Sequence, residues 1–143
     1  MKIAMAADHG GFELKNAIKA HLEAKGYEVL DLGVNAPDSV DYPLYGEACG
    51  RAVAEGKAPL GIVCCGSGIG ISMAANKIKG IRCAIVTSEY AAEMCKRHNN
   101  ANIISFGGRT TTVEDACKYT DIWLETEFEG GRHQRRVDLL NNL

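Results

Sequence analysis

The sequence predicts an α/β fold built on one parallel, doubly wound sheet of five strands with helices on both faces. Three features of the 143 residues lead to this prediction. Short apolar runs that are too brief for helices alternate with longer amphipathic segments, the connections between them are short, and glycine-rich turns follow several runs. Such alternation favours parallel strands, and a chain of this length is typical of a single domain, here residues 1–143.

The first half of the chain is expected to supply three strands and two helices. The predicted strands are Lys2–Ala7, Tyr27–Leu32 and Leu60–Cys64, and the predicted helices are Phe12–Lys25 and about Leu44–Glu55. In the first helix, Leu14, Ile18 and Leu22 recur on one face, and Gly26 is placed to end it.

The second half completes the predicted sheet. Strands are expected at Arg82–Thr87 and Ile103–Phe106, and helices at about residues 71–78, from Ser88 to about His98, from Thr110 through Trp123, and as a short helical end after Val137. Ser88 is a favourable cap for the helix that follows it.

Composition and charge exclude several classes of protein. A net charge of -2 gives no electrostatic footprint for nucleic acid, and no apolar run approaches the length of a membrane span. The N-terminal sequence MKIAMAADHG lacks the pattern of a secretory signal. We therefore expect a cytoplasmic protein without nucleic-acid or membrane partners.

The six cysteines are expected to be reduced thiols. They lie mostly within predicted strands and helices, and no secretory signal accompanies them. No spacing of cysteine and histidine resembles a zinc site, so no bound metal is expected.

The segment Leu60–Lys77, LGIVCCGSGIGISMAANK, is the part of the chain most suggestive of chemistry. A short buried strand leads into a turn, Cys65–Gly70, with three glycines at alternate positions, and a helix follows. Backbone N–H groups at such a helix N-terminus bind anions, and a thiol beside them should have its thiolate favoured. The segment thus suggests an oxyanion site next to a base or nucleophile.

This segment also has simpler interpretations. Glycine-rich turns are common in α/β proteins, and a buried cysteine is often only a small core residue, which suits Cys64. A phosphate-binding Walker loop is excluded because Gly70 is followed by Ile71 and Ser72. From these residues alone, a functional Cys65 and a structural Cys65 are equally good interpretations.

Polar residues in other loops extend the candidate site. Asp8 and His9 follow the first strand, and Arg109 follows the fifth, at the strand ends where open α/β sheets bind ligands. His98 and Asn99 lie in the loop after the fourth helix. We expect all these loops to converge on one edge of the sheet, although Asp8 could equally serve as a helix cap.

The C-terminal segment carries a basic cluster behind a Gly-Gly turn. Its members are Arg132, His133, Arg135 and Arg136. The planar guanidinium of arginine suits phosphate, while composition alone favours a solvated helix start.

Seven motifs in order resemble the type B ribose-5-phosphate isomerases and related sugar-phosphate isomerases. The matching residues are Asp8-His9-x-Gly11-Phe12-x-Leu14-Lys15, Asp41-Tyr42-Pro43, Cys65–Gly70, Ala74–Lys77 with Gly80–Arg82, His98-Asn99, Phe106–Arg109 and Gly130–Gln134. One branch of this family uses a glutamate after the glycine loop; here residues 71–74 contain no carboxylate, which supports the cysteine branch.

The resemblance implies a three-layer α/β/α Rossmann-like sandwich that isomerises an aldose phosphate to its ketose phosphate without a metal or other cofactor. The leading reaction of the family converts ribose 5-phosphate and ribulose 5-phosphate. The resemblance also implies a homodimer, or a tetramer, with shared active sites, in which the tail of about residues 124–143 reaches a partner subunit.

The resemblance implies catalytic roles for three residues. Cys65 would be the base that moves a proton between C2 and C1 through a cis-enediolate, and Ser67 would hydrogen-bond or relay a proton. His98 would open the furanose ring, with Asp8 and Tyr42 near the same ring atoms.

Contacts to the substrate are implied at the remaining matching positions. They comprise the phosphate-binding side chains of His9, Arg109, Arg132 and Arg136, the backbone of Gly66, Gly68 and Gly70 at the enediolate oxygen, and Asn99 beside His98. In the family, His98, Asn99 and Arg109 reach the site from the partner subunit, so dimerisation would be part of catalysis.

Three alternatives remain open at this point. A six-carbon substrate, allose 6-phosphate or galactose 6-phosphate, would need the same residues. A flavodoxin-like module that binds a nucleotide or flavin phosphate would need only the glycine loop. A redox protein using Cys64 and Cys65 is disfavoured, because adjacent cysteines form strained disulfides.

Overall fold

The computed structural model describes all 143 residues and contains five strands and six helices. In chain order these are β1 Lys2–Ala7, α1 Phe12–Ala24, β2 Glu28–Asp31, α2 Tyr42–Ala54, β3 Leu60–Cys65, α3 Ile69–Asn76, β4 Cys83–Ile85, α4 Glu89–Arg97, β5 Ile103–Gly107, α5 Val113–Glu125 and α6 Arg132–Asn141. The strands form one sheet in the order β2-β1-β3-β5-β4, and every pair is parallel. The predicted α/β class and five-stranded parallel sheet are confirmed.

Two apolar cores cover the two faces of the sheet. Alternate residues of β1 point to opposite faces, so Ile3 and Met5 join one cluster while Ala4 and Ala6 join the other. The first cluster includes buried residues of α1, α4 and α5, and the second those of α2 and α3. The largest buried side chain, Trp123, donates Nε1–H to the carbonyl of Ala101 at 3.0 Å. These layers confirm the three-layer sandwich.

The order of the strands creates a crevice between β1 and β3. The chain leaves β1 for α1 on one face and leaves β3 for α3 on the other, as the two core clusters show. Open α/β sheets bind ligands at such a switch point, outside the carboxyl ends of the strands. Asp8 and Cys65 lie at the carboxyl ends of these two strands.

Helices α2 and α3 approach closely because small residues line their contact. A methyl group on Gly46 would lie 2.7 Å from the Cβ of Ala74, and one on Gly70 would lie 2.6 Å from the ring of Tyr42. This close packing sets the Tyr42 ring directly on the first turn of α3.

The structure differs from the sequence prediction mainly at two elements. β4 is an edge strand limited to Cys83–Ile85, because it pairs only with β5. α6 begins at Arg132 and not after Val137, since Gly130 and Gly131 take positive φ angles of 71° and 57° that end the preceding loop. The basic residues therefore lie on a helix. None of the helices has the length and apolar character needed to cross a membrane.

Candidate active site

An open cavity of about 590 Å³ lies at the carboxyl ends of the central strands. We call it the carboxyl-edge site; its lining residues are Asp8, Tyr42, Cys65, Gly66, Ser67, Ile69, Gly70, Met73, Arg109 and Thr110. Most of the residues that the sequence analysis selected are therefore brought together here.

Cys65 ends β3 with only 4% of its surface exposed, and the glycine loop wraps around its sulfur. The N–H of Gly68 donates to Sγ at 3.1 Å, which fixes the position of the sulfur within the loop. Gly68 has φ 77°, and a methyl group there would lie 2.8 Å from the carbonyl carbon of Phe106. Only glycine fits this position, and its conformation keeps the N–H of Gly68 directed at the sulfur.

Three backbone donors of the loop remain available beside the thiol. The N–H groups of Gly66, Ser67 and Gly70 make no hydrogen bond within the chain. The Ser67 hydroxyl accepts from the N–H of Ile69 at 3.1 Å, which places it at the start of α3. Free donors at a helix N-terminus suit an oxyanion that develops on a substrate.

The Asp8 carboxylate belongs to the same site and also shapes its own turn. Asp8 is 6% exposed, and its Oδ1 accepts from the N–H groups of Gly10 and Gly11 at 2.8 and 3.2 Å. A methyl group on Gly10 would lie 2.9 Å from the backbone N of Gly66. Asp8 therefore shapes the turn before α1 and also lines the cavity, while the cap position of α1 is Gly11, which offers no side-chain hydrogen bond.

Arg109 reaches the carboxyl-edge site from its own chain. Its N–H donates to the carbonyl of Gly66 at 3.0 Å, and a methyl group on Gly66 would lie 2.8 Å from its Nη1. The N–H of Gly108 donates to the carbonyl of Cys65 at 2.7 Å. The structure thus places Arg109 at the carboxyl-edge site of its own chain, because the loops that follow the paired strands β3 and β5 are bonded to each other. A contribution of Arg109 to the site of a partner subunit stays a prediction.

His9 and Tyr42 stand at the rim of the site. The N–H of Val40 donates to Nδ1 of His9 at 3.2 Å, so the neutral His9 ring carries its proton on Nε2. Tyr42 begins α2 and is 41% exposed, with its ring against Gly70.

The remaining predicted residues lie at the opposite edge of the sheet. We call His98, Asn99, Arg132 and Arg136 the opposite-edge group; His98 and Asn99 follow α4, and the two arginines lie on α6. Arg82, which precedes β4, donates to the carbonyl of Asn99 at 3.1 Å and to Oδ1 of Asn141 at 2.7 Å. These bonds tie both elements to the edge where β4 begins.

The expectation that all candidate loops converge on one edge is therefore wrong within a single chain. A helix that follows a strand in a parallel sheet runs back antiparallel to it. The end of α4 consequently lies at the amino ends of the strands, whereas Asp8, Cys65 and Arg109 follow strands directly.

His98 of the opposite-edge group stacks on a second imidazole, that of His133. The rings of His98 and His133 have centroids 4.3 Å apart and planes 11° apart. Oxygens of Glu129 lie 3.9 Å from Nε2 of His98 and 3.8 Å from Nε2 of His133. Burial lowers the pKa of His133, and the neighbouring His98, Arg132 and Arg136 lower it further, against an opposite effect of Glu129.

These three side chains are the only cluster of potential metal ligands in the structure. A metal ion must lie in the plane of each imidazole that binds it, and two stacked, nearly parallel planes cannot both contain one ion. The arrangement therefore does not suit a metal as it stands. Metal independence stays a prediction.

Cys64 and Cys65 cannot form a working redox pair. Their side chains enter different core clusters on opposite faces of the sheet. Complete burial raises the pKa of the Cys64 thiol far above its ordinary value. Cys64 is thus an inert core residue, as one interpretation of the sequence proposed.

Sequence reasoning missed the pairing of His133 and Glu129 with His98. His133 was noted only as one member of a basic cluster, and Glu129 was not selected. No local pattern could have revealed them, because the contact joins the end of α4 to the start of α6 across the fold.

A Rossmann-like sandwich with a thiol held in a glycine loop at its switch point is typical of proteins that bind small ligands there. Comparisons with known proteins identify its family. A sequence model described as Ribose/Galactose Isomerase matches residues 3–140. The chain is 45% identical over 139 residues to ribose-5-phosphate isomerase B of Escherichia coli, covering 97% of this chain and 93% of that protein.

Solved structures agree with this assignment. Ribose-5-phosphate isomerase B of Clostridium thermocellum superposes with a TM-score of 0.98 at 46% identity, covering 99% of this chain and 96% of that one. The enzyme of Mycoplasma genitalium, solved with bound ribulose 5-phosphate, gives 0.94 at 41% identity, covering 99% and 94%. The chain belongs to the ribose/galactose isomerase family.

Proposed function

We propose that the protein is an aldose–ketose isomerase that interconverts ribose 5-phosphate and ribulose 5-phosphate. The observation that carries the proposal is the Cys65 sulfur, which accepts the Gly68 N–H inside a loop where the N–H groups of Gly66, Ser67 and Gly70 are free. The relatives named as ribose-5-phosphate isomerase B, one of them with ribulose 5-phosphate bound, supply the substrate.

The proposed reaction passes through a cis-enediolate. The Cys65 thiolate takes the proton from C2 of the open-chain aldose, and the electron pair moves onto the C1 carbonyl oxygen. The N–H groups of Gly66 and Gly70 are positioned to stabilise the negative charge that forms there. Return of the proton to C1 gives the ketose, and the Ser67 hydroxyl moves the remaining proton between O2 and O1.

Ring opening and phosphate binding are proposed to need a second copy of the chain. His98, Asn99, Arg132 and Arg136 lie at the opposite edge from Cys65, so one chain cannot present both groups to one sugar. A homodimer in which each carboxyl-edge site faces the opposite-edge group of its partner would complete two sites. The tail of about residues 124–143, which carries both arginines, would then reach the partner subunit.

Exposed apolar side chains beside the carboxyl-edge site support this arrangement. Leu44, Ile69 and Met73 are 63%, 48% and 60% exposed, and the latter two line the cavity itself. A second copy would bury this surface. A tetramer would contain two such dimers.

We further propose that the chain forms one domain and works in the cytoplasm, in the pentose phosphate pathway, without a metal or other cofactor. All six cysteines are free, as expected of a reducing compartment. Carboxylate, imidazole and thiol groups suffice for the proton transfers described above.

The test is proton NMR of the purified protein with ribose 5-phosphate in deuterated water. We expect ribulose 5-phosphate to form with solvent deuterium at C1, and Cys65→Ala to abolish the conversion without unfolding the protein. Cys117→Ala, which changes a half-exposed thiol on α5, is the matched control and should remain active.

Other outcomes would contradict the proposal in different ways. Wild-type turnover by Cys65→Ala would exclude the thiol as base. Conversion of allose 6-phosphate or galactose 6-phosphate, with none of ribose 5-phosphate, would establish the six-carbon alternative. A protein that converts none of these but retains a bound nucleotide or flavin would be the phosphate-binding module.

A further inference from the structure

The stack of His98 and His133 joins two elements of the opposite-edge group. His98 directly follows α4, and His133 lies in the first turn of α6, so the ring contact links the ends of two helices. Close by, the N–H of Glu129 donates to the carbonyl of Arg97 at 3.0 Å. One face of the His98 ring thus packs against the segment that contains Glu129 and His133, and a backbone hydrogen bond fixes this segment to the end of α4.

The two rings differ sharply in exposure. His133 is only 5% exposed, whereas 36% of the His98 side chain is open to solvent. One ring can therefore meet a ligand, and the other serves as a buried platform beneath it. Nε2 of His133 is buried without any hydrogen-bond partner, so no bond from this atom accounts for the placement of the ring. The ring does contact the face of His98.

The charges around the stack favour a neutral platform. His98, Glu129, Arg132 and Arg136 are the charged or titratable groups that act on His133, and with burial their sum lowers its pKa. A neutral His133 adds no positive charge against a His98 ring that gains a proton during turnover. It also leaves the arginines as the cations available to a phosphate.

We infer that His133 is a positioning residue for the opening of the sugar ring, holding the His98 imidazole by face-to-face stacking. The inference rests on the ring-opening role of His98 in the proposed function. Opening a furanose removes the proton of the C1 hydroxyl, breaks the C1–O4 bond and delivers a proton to O4, so no proton is gained or lost overall. A histidine can accept and return this proton only when its edge stays aligned with the sugar.

Two substrates separate ring opening from isomerisation. Ribose 5-phosphate is mostly cyclic, whereas 4-deoxyribose 5-phosphate has no O4 and cannot close a furanose ring. We expect His133→Ala to lower kcat/KM for ribose 5-phosphate about tenfold more than for the deoxy substrate. His133→Phe keeps an aromatic face and should hold the ratio of the two kcat/KM values within about threefold of the wild type.

Two further variants complete the comparison. His21→Ala removes another partly buried histidine, one that bonds to Asp121 away from the stack, and should leave the ratio unchanged. If His133→Ala does not fold, His133→Gln replaces it, because glutamine keeps polarity without an aromatic face. If the ratio of the two kcat/KM values in His133→Gln is close to that of the wild type, the inference is overturned.

The results also distinguish this inference from the function on which it rests. The stacking role would be overturned if His133→Ala lowered kcat/KM equally for both substrates. It would also be overturned if His133→Phe lowered kcat/KM for ribose 5-phosphate relative to the deoxy substrate as much as His133→Ala does. Equal losses on both substrates in His98→Asn would instead remove ring opening from His98. A wild-type protein inactive on both sugars would contradict the isomerase proposal itself.

Discussion

Mixing two inactive variants tests whether the active sites are shared between protomers. Cys65→Ala removes the thiol from the carboxyl-edge site, and His98→Asn removes the imidazole from the opposite-edge group. In a homodimer of either variant, every shared site carries one substitution. In a mixed dimer, one site carries both substitutions and the other carries neither.

The size of the effect follows from this geometry. When equal amounts of the two variants pair at random, about half of the dimers are mixed, and each has one intact site out of two. The mixture should therefore recover about a quarter of the wild-type activity per mole of protein, although each variant alone is nearly inactive.

The assay measures ribulose 5-phosphate formation after the variants have been denatured together and refolded, with native mass spectrometry to quantify mixed dimers. The matched control mixes Cys65→Ala with Cys65→Ser, which leaves one substitution in every site whether or not sites are shared. If Cys65→Ala and His98→Asn form mixed dimers but recover no activity, the shared site is refuted. If the control mixture of Cys65→Ala and Cys65→Ser recovers activity, the recovery has another source.

Three further predictions concern the phosphate, the buried lysine and the aspartate to which it bonds. Arg136→Ala should raise KM for ribose 5-phosphate about tenfold with a smaller change in kcat, and an unchanged KM would remove it from the phosphate site. Lys15 is fully buried and donates to Asp31 at 2.8 Å, so Lys15→Met should lower the free energy of unfolding in urea by about 3 kcal/mol. The exposed control Lys25→Met should change it little. Burial would raise the pKa of Asp31, but hydrogen bonds from Lys15 and the neighbouring backbone outweigh it and lower the pKa. Because such a carboxylate stabilises the fold only while ionised, stability should fall as pH drops through the lowered pKa, and Asp31→Asn should flatten that dependence.

Much of the fold could be predicted because it depends on local patterns. Leu14, Ile18 and Leu22 recur at the helical period and are buried on α1 as expected. Ser88 caps α4 by accepting the N–H of Ala91 at 3.0 Å. The glycine loop after β3 is recognisable from its spacing, and at Gly68 no other residue type tolerates both the positive φ and the close contact with the backbone of Phe106.

The assembly of the site could not be predicted in the same way. The sequence gives no strand order, and only the pairing of β3 with β5 shows that Arg109 lies beside Gly66 of its own chain. Likewise, the direction of α4 separates His98 from Cys65, because His98 follows a helix whereas Cys65 ends a strand. Long-range topology, not residue chemistry, decided these positions.

The separation of the two groups bears on the choice between five-carbon and six-carbon sugars. In the proposed dimer, Cys65 of one protomer acts at C1 and C2, while Arg132 and Arg136 of the other hold the phosphate at the far end of the same sugar. The distance between the two groups across the interface would then determine which length of sugar phosphate fits the site. A change at the exposed Leu44, which does not line the cavity, would alter that spacing without touching either group. The preferred sugar would thus be a property of the interface, which explains why the motifs of a single chain leave it open.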